Sequence, residues 1–234
     1  MAIEISRLTE ADIPGAVAAI QRSFIDDPYE EWMYYQSTFS PQRSCASLTA
    51  RCQLGIHNEL FYVAKEAGSD KVLGVAMWLR PRPEGQKLSW VQWANSWRFW
   101  FSQLAVNIWH GRGGLNVKRY YIFKAAQAQA IEAIWIEPRG YYFLNTIAIV
   151  PEAQGKGIGR KLVSVVTDRA DAEQMPCYLE SSKAQPNMAI YERWGFQFVR
   201  ELTCDDDGAV CKLYCMVRKA RQKEEELRGE RKAD

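Results

Sequence analysis

Three glycines stand at alternate positions in Gln154-Gly155-Lys156-Gly157-Ile158-Gly159, after an apolar run and before a helix-forming segment. Glycine there leaves backbone N–H groups uncovered where the first turn of a helix has no internal partners for them, and the helix dipole adds roughly half a positive charge. That arrangement suits an anion, a phosphate above all. Lys156, Arg160 and Lys161 add positive charge at the rim. A second group with chemistry in it is Glu180, a carboxylate within the otherwise apolar stretch Cys177–Ser181. A charge in such a strand needs a partner or a purpose, so it reads either as a base or as half of a buried ion pair.

Two common phosphate loops fail on spacing. A P-loop counted from Gly155 requires a second Gly after four residues and then Lys with Ser or Thr, but Arg160 stands at the glycine place and no Ser or Thr follows. A dinucleotide G-x-G-x-x-G fails at Arg160 when counted from Gly155 and at Leu162 when counted from Gly157. Gln-x-x-Gly-x-Gly remains, as Gln154, Gly157 and Gly159, beside the plain alternative of a strand–helix turn that binds nothing.

The elements that must position these groups follow from periodicity. Tyr141–Val150 is nearly unbroken apolar sequence, as in a central strand buried on both faces, and Pro151 ends it. A helix is predicted over 157–172 with Ile158, Leu162, Val165 and Val166 inward; then come the strand Cys177–Ser181, a short helix over 186–194 and two strands, Phe196–Thr203 and Lys212–Val217. Upstream, a short strand at Ile3–Ile5 precedes a helix capped by Thr9 over 10–25, helices over 29–39 and 41–57, and a hairpin of Leu60–Ala64 with Val72–Leu79. Between the hairpin and the central strand, residues 81–140 form a tryptophan-rich insertion predicted as two helices, about 90–109 and 116–134.

Composition bounds the rest. With 47% apolar and 25% charged residues in 234, the chain can bury a sizeable core as one domain, 1–220, with a charged tail over 221–234. A net charge of +2 argues against a dedicated nucleic-acid binder. The polar residues Gln92, Asn95, Arg98, Gln103 and Asn107 make 88–109 too polar to span a membrane, and no basic-then-apolar leader opens the chain. The six cysteines include no CxxC pair and only two histidines accompany them, so a cytoplasmic protein with reduced thiols and no metal is expected. Asp205-Asp206-Asp207-Gly208 has Tyr214 where a calcium loop needs Glu, and reads as a turn.

Two motifs in order give a resemblance to a known family. The first is Val150-Pro151, then Gln154-x-x-Gly157-x-Gly159 and a helix; the second is a strand, Asn187, Tyr191 and Gly195-Phe196. Together they resemble the GNAT superfamily of N-acetyltransferases, strongly over 141–200 and in strand order over 1–80, while 81–140 has no counterpart in the usual short connection. The resemblance implies a mixed α/β fold, a twisted and mostly antiparallel sheet flanked by helices, here with a helical insertion between strands 3 and 4. It also implies acetyl-CoA as donor, held in a gap between the fourth and fifth strands. The backbone around Ile147, Ala148 and Ile149 would bond the pantetheine arm, and Gln154, Gly155, Lys156, Gly157, Ile158, Gly159 and Arg160 the phosphates.

By the same resemblance Tyr191 stands beside the cofactor sulfur, and Asn187, one helical turn earlier on the same face, reaches the pantetheine arm. A phenol near pKa ~10 gives up its proton to a thiolate near ~8.5 only uphill, so Tyr191 is expected to stabilise the thiolate by a hydrogen bond. Glu180 becomes the candidate base for the acceptor amine, with Asp26 and Asp27 as the weaker alternative. The expected reaction is direct attack by a small-molecule primary amine; a protein amine as acceptor, or a binding module without turnover, are the alternatives. The stripe Trp90, Trp93, Trp97, Trp100 or Phe101, Leu104, Ile108 is expected to be ordinary core, with lid, dimer face and membrane-surface helix as the other roles.

Overall fold

The computed structural model describes residues 2–83, 85–87, 89–135 and 138–221, so the predicted tail lies, apart from Arg221, outside the described residues. Seven strands form one sheet in the order β1-β2-β3-β4-β5-β7-β6: β1 Ile3–Arg7, β2 Leu60–Glu66, β3 Val72–Leu79, β4 Tyr142–Ile149, β5 Cys177–Ser181, β6 Gln197–Asp206 and β7 Ala209–Arg218. Every neighbouring pair is antiparallel except β4 and β5, which run parallel, in keeping with the mostly antiparallel sheet that the resemblance implied.

Among the described residues seven α-helices accompany the sheet: α1 Ile13–Ser23, α2 Pro28–Met33, α3 Pro41–Asn58, α4 Trp90–His110, α5 Val117–Ile134, α6 Ile158–Ala172 and α7 Asn187–Arg193. Helix α6 packs on β1–β4 through Leu162, Val163 and Val166, and α1 packs on β3, β4 and α3. A second core gathers Trp32 of α2, Phe123 of α5, Tyr178 of β5 and the buried cysteines of β6 and β7.

The predicted helix over 10–25 is shorter in the structure. Thr9 donates its backbone N–H and hydroxyl to Asp12, closing a 3-10 turn over Glu10–Asp12, and the α-helix begins at Ile13 with Pro14 in its first turn. The predicted helix over 29–39 stops at Met33. There the chain is recruited by the insertion: Tyr34 bridges Leu115, Tyr35 N–H bonds Gly114 O and Asn116 N–H bonds Met33 O. Gly114 permits this approach, since its φ is +83° and a Cβ would stand 2.9 Å from the Tyr35 carbonyl.

The insertion is folded onto the domain at both helices. Lys118 and Arg119 of α5 pair with Asp206 at 2.5 and 2.8 Å, and Lys118 also reaches Asp207, so the acidic turn anchors the insertion. Helix α4 reverses the expectation of core: no residue in it is buried, and Trp90, Trp93, Trp97, Trp100 and Phe101 are all exposed. Among the described residues no helix is long and apolar enough to cross a membrane.

Candidate active site

Strands β4 and β5 pair only at Tyr142–Cys177, Phe143–Tyr178 and Leu144–Leu179. Beyond that point β4 continues against β3 alone and β5 against β7 alone, so a wedge opens between the two parallel strands. Its cause lies in β4: the β3–β4 register shifts so that Trp78 faces Leu144 while Met77 faces Thr146, leaving Asn145 as an extra residue that bends the strand away.

The register also decides which peptides line the wedge. Val150 N–H bonds Leu73 O at 3.0 Å, and antiparallel ladders alternate, so Ala148 and Thr146 share that direction and bond toward β3. Ile147 and Ile149 therefore turn their N–H and C=O into the wedge. The Ile149 carbonyl there accepts Ser23 Oγ of α1 at 2.9 Å and Gln154 Nε2 at 3.1 Å. Ala148, expected among the contacting residues, is 2% exposed with its peptide turned to β3, and contributes packing instead.

The glycine turn caps the same end. Pro151–Ala153 forms a 3-10 turn, Gly155 and Gly157 have φ of +73° and +75°, and nothing stands within 4 Å of where their Cβ atoms would be. The first-turn amides of α6 thus open onto free space, with Gly157 as its left-handed N-cap. Gly159 serves another end: a Cβ would meet the Trp194 ring at 3.0 Å, so its missing side chain lets α7 close against α6. Ile158 is buried, and only its backbone faces the turn. Gln154 is spent on Ile149, and Lys156 Nζ bonds the Glu152 carbonyl at 2.8 Å; Arg160 projects into solvent.

Helix α7, which follows β5, carries Asn187 and Tyr191. Neither side chain makes a hydrogen bond to a described residue. The Tyr191 ring packs edge-on against Trp194 and Phe196. Burial, reinforced by the charge of Asp27, pushes its phenol up to about 12. Asp27 itself is buried as the N-cap of α2, accepting Tyr29 N–H, Glu30 N–H and Ser182 Oγ, so its carboxylate is largely committed to the turn. Asp26 is exposed.

Glu180 faces the α2–α5 side. Tyr178 OH donates to Oε1 at 2.9 Å and Gln127 Nε2 of α5 to Oε2 at 2.8 Å. Burial pushes its carboxyl above the usual range, and these donors with nearby Lys124 pull back against that. Glu180 and Tyr191 share no hydrogen bond; the carboxylate whose charge Tyr191 feels is Asp27.

Sequence reasoning missed Glu30. It lies on α2 with no side-chain hydrogen bond, and burial, then the charge of Asp27, push it up to about 7 against the pull of Arg51. Nothing in the local pattern of 28–33 singles it out, because its shift depends on how α2 packs in the fold, where Arg51 of α3 is the opposing charge.

Beyond the end of β5 an open cleft of about 420 Å³ is lined by Pro28, Ser182, Lys183, Gln185, Cys211 and Tyr214. The nearby thiols are poor nucleophiles: burial pushes Cys177 and Cys211 up to about 12 and Cys215 up to about 11. Among the described residues no group of three or more His, Cys, Asp or Glu could hold a metal.

A family model described as an acetyltransferase (GNAT) domain matches residues 118–198, which run from α5 through the glycine turn to the start of β6. An uncharacterised N-acetyltransferase of Schizosaccharomyces pombe is 24% identical over 218 residues, covering 91% of this chain and 81% of that one. Among solved structures, one from Corynebacterium glutamicum described as histone acetyltransferase HPA2 and related acetyltransferase superposes with a TM-score of 0.57 at 20% identity, covering 95% of this chain and 98% of that one. A putative GNAT-family acetyltransferase from Desulfovibrio desulfuricans gives 0.53 at 15% identity, covering 93% and 99%. At these identities the structures speak to the fold.

Proposed function

We propose that the chain is a member of the GNAT superfamily of N-acetyltransferases and that it moves an acetyl group from acetyl-CoA to the primary amine of a small molecule, by direct attack in a ternary complex. The observation that carries this reading is the wedge between β4 and β5. Ile147 and Ile149 offer it peptide groups, as a strand partner would, and the left-handed turn at Gly155–Gly157 follows the end of β4; in this reading Tyr191 stands at the sulfur end. An acyl-pantetheine arm is an extended amide chain and can bond those peptides; its pyrophosphate fits the first-turn amides of α6.

In this account the Ile149 N–H polarises the thioester carbonyl, the amine nitrogen attacks the carbonyl carbon, and the C–S bond breaks to leave a thiolate, to which the proton shed by the nitrogen passes by relay. A phenol at about 12 lies about 3.5 pH units above a free thiol, so Tyr191 donates a hydrogen bond to the thiolate rather than its proton. Asn187 bonds the pantetheine arm. The amine must arrive deprotonated, and Glu180 is the proposed base, oriented by Tyr178 and Gln127. A second reading gives that proton to Glu30, favoured by its position at about 7, where a base works best at neutral pH.

A small acceptor is supported by α5, which lays Gln127 across Glu180, and by a cleft of about 420 Å³ beside the wedge, the volume of a small-molecule site. Release of free thiol from acetyl-CoA with a panel of small amines, and with peptides bearing a free N-terminus or lysine, tests the proposal. Turnover with small amines supports it. Turnover confined to peptides overturns the acceptor class, and tight binding of acetyl-CoA with no release for any amine overturns catalysis.

A further inference from the structure

Helix α4 is amphipathic in the inverse sense. The side it turns to α3 is largely polar: Asn95 bonds Asn58 at 2.9 Å, Gln103 bonds Ser47 at 2.8 Å and Asn107 accepts Arg43 at 3.0 Å. The opposite side carries Trp90, Trp93, Trp97, Phe101, Leu104 and Ile108, exposed by 41% to 84%, with Trp100 at its margin. The hydrogen bonds on the inner face fix the helix's rotation, so the aromatic face points outward by construction. The rings form a continuous edge-to-face ladder, Trp90–Trp93–Trp97–Trp100, at centroid distances of 5.8–6.0 Å.

We propose that this face is the interface of a homodimer in which two α4 helices pack antiparallel. At about 150–250 Å² per large side chain, the exposed fraction amounts to on the order of 800 Å² per copy, beyond the few hundred Å² usual on a monomer and equal to one side of a standard interface. The stripe carries no charged residue, as interface centres do. Its three- and four-residue spacing is that of a helix–helix seam, about 27 Å long at ~1.5 Å per residue.

The sequence is also self-complementary. With a two-fold axis at the level of Phe99, Trp90 meets Ile108, Trp97 meets Phe101, and the small Ala94 and Ala105 face Leu104 and Trp93 of the second copy. A small residue then stands opposite a large one at two of these levels and large apolar residues meet at the other two, and each contact occurs twice, as a two-fold interface requires. A bilayer-surface helix would instead present a strongly charged polar face, whereas the polar side of α4 is mostly amides already bonded to α3.

Sedimentation equilibrium on the full chain tests this. Wild type is expected to sediment as a dimer, and Trp97→Glu as a monomer that keeps its circular dichroism, since Trp97 touches only its own helix neighbours in the ring ladder. In a second variant, Ala94→Cys with Leu104→Cys, the two cysteines lie about 15 Å apart within one helix, at ~1.5 Å per residue. Mild oxidation should therefore link two chains, which wild type run alongside does not do. Wild type that is monomeric at all concentrations, a dimer that survives Trp97→Glu, or a double-cysteine variant that does not cross-link overturns the proposal. A monomer that floats with phosphatidylcholine vesicles would overturn it in favour of a bilayer.

Discussion

Substituting Gly157 by valine separates two effects that the structure makes calculable. The first is conformational: at φ +75° an L-residue costs roughly 1–2 kcal/mol, somewhat more when β-branched, and with no atom within 4 Å of the added Cβ there is no clash to add. In a chain of this size that lowers the melting temperature by about 2–8 °C. The second is functional: the isopropyl group would occupy the space over the α6 amides. Losing one or two charge-assisted hydrogen bonds, at about 1.5–3 kcal/mol each, weakens acetyl-CoA binding by at least about tenfold and up to about 10⁴-fold. Gly68 supplies the control. Its φ is +76°, it too has nothing within 4 Å, and it sits in the β2–β3 turn. Gly68→Val should therefore cost the same stability and leave affinity unchanged, with melting curves and titration calorimetry on both variants giving the comparison. Wild-type affinity in Gly157→Val, or an equal loss in Gly68→Val, would refute the assignment of this turn.

Tyr191→Phe should lower kcat by about 10–100-fold with acetyl-CoA affinity unchanged, since the hydroxyl has no protein partner to lose; an unaltered kcat removes its role. If Glu30 takes the amine's proton, kcat/KM rises with pH through about 7, and Glu30→Gln flattens that limb while Glu180→Gln leaves it; the opposite pattern assigns the base to Glu180. Glu30 also has a stability signature. Its folded pKa lies above the unfolded value, so stability falls as pH rises between about 4.5 and 7, and Glu30→Gln should exceed wild type by about 1–2 kcal/mol at pH 8 and match it near pH 4 in denaturant titrations. Arg218, 3% exposed, grips both oxygens of Asp171 at 2.7 and 2.5 Å. Arg218→Ala leaves a half-buried carboxylate with only the Arg221 N–H and should cost on the order of 2–3 kcal/mol at pH 7. Burial pushes Asp171 up, but Arg218 and the Arg221 N–H outweigh it and hold it below the usual range. The contribution of this pair is thus present above the unfolded carboxylate pKa and fades as pH falls through the folded one, which acid titration of the melting temperature would reveal.

Strands and long helices were legible because their periodicity is local: Tyr142–Ile149, Ile158–Ala172 and Cys177–Ser181 lie within a residue or two of where apolar pattern and Pro151 placed them. The glycine turn was legible for the same reason, since positive φ at Gly155 and Gly157 is a local demand. What escaped the sequence depends on distant partners. Helix α2 ends at Met33 because Gly114 and Asn116 of the insertion bond there, and no pattern within 28–39 announces that. Gly159 looked like a phosphate glycine but answers to Trp194, 35 positions away. Glu30 carries no local mark in the sequence: the burial and the Asp27 and Arg51 charges that shift it exist only in the packed fold. The tryptophan stripe was misjudged for a simple reason: periodicity reports that a helix has an apolar face, while which way that face turns is decided by Asn58, Ser47 and Arg43, the groups that bind its polar side.

Titration calorimetry of the wild-type chain with acetyl-CoA, repeated with an acetyl-pantetheine fragment lacking the pyrophosphate, tests the wedge and its turn most directly. One molecule should bind per chain, and the fragment should bind markedly more weakly because it leaves the α6 amides empty. No heat of binding with acetyl-CoA, or equal affinity for the fragment, would contradict the account.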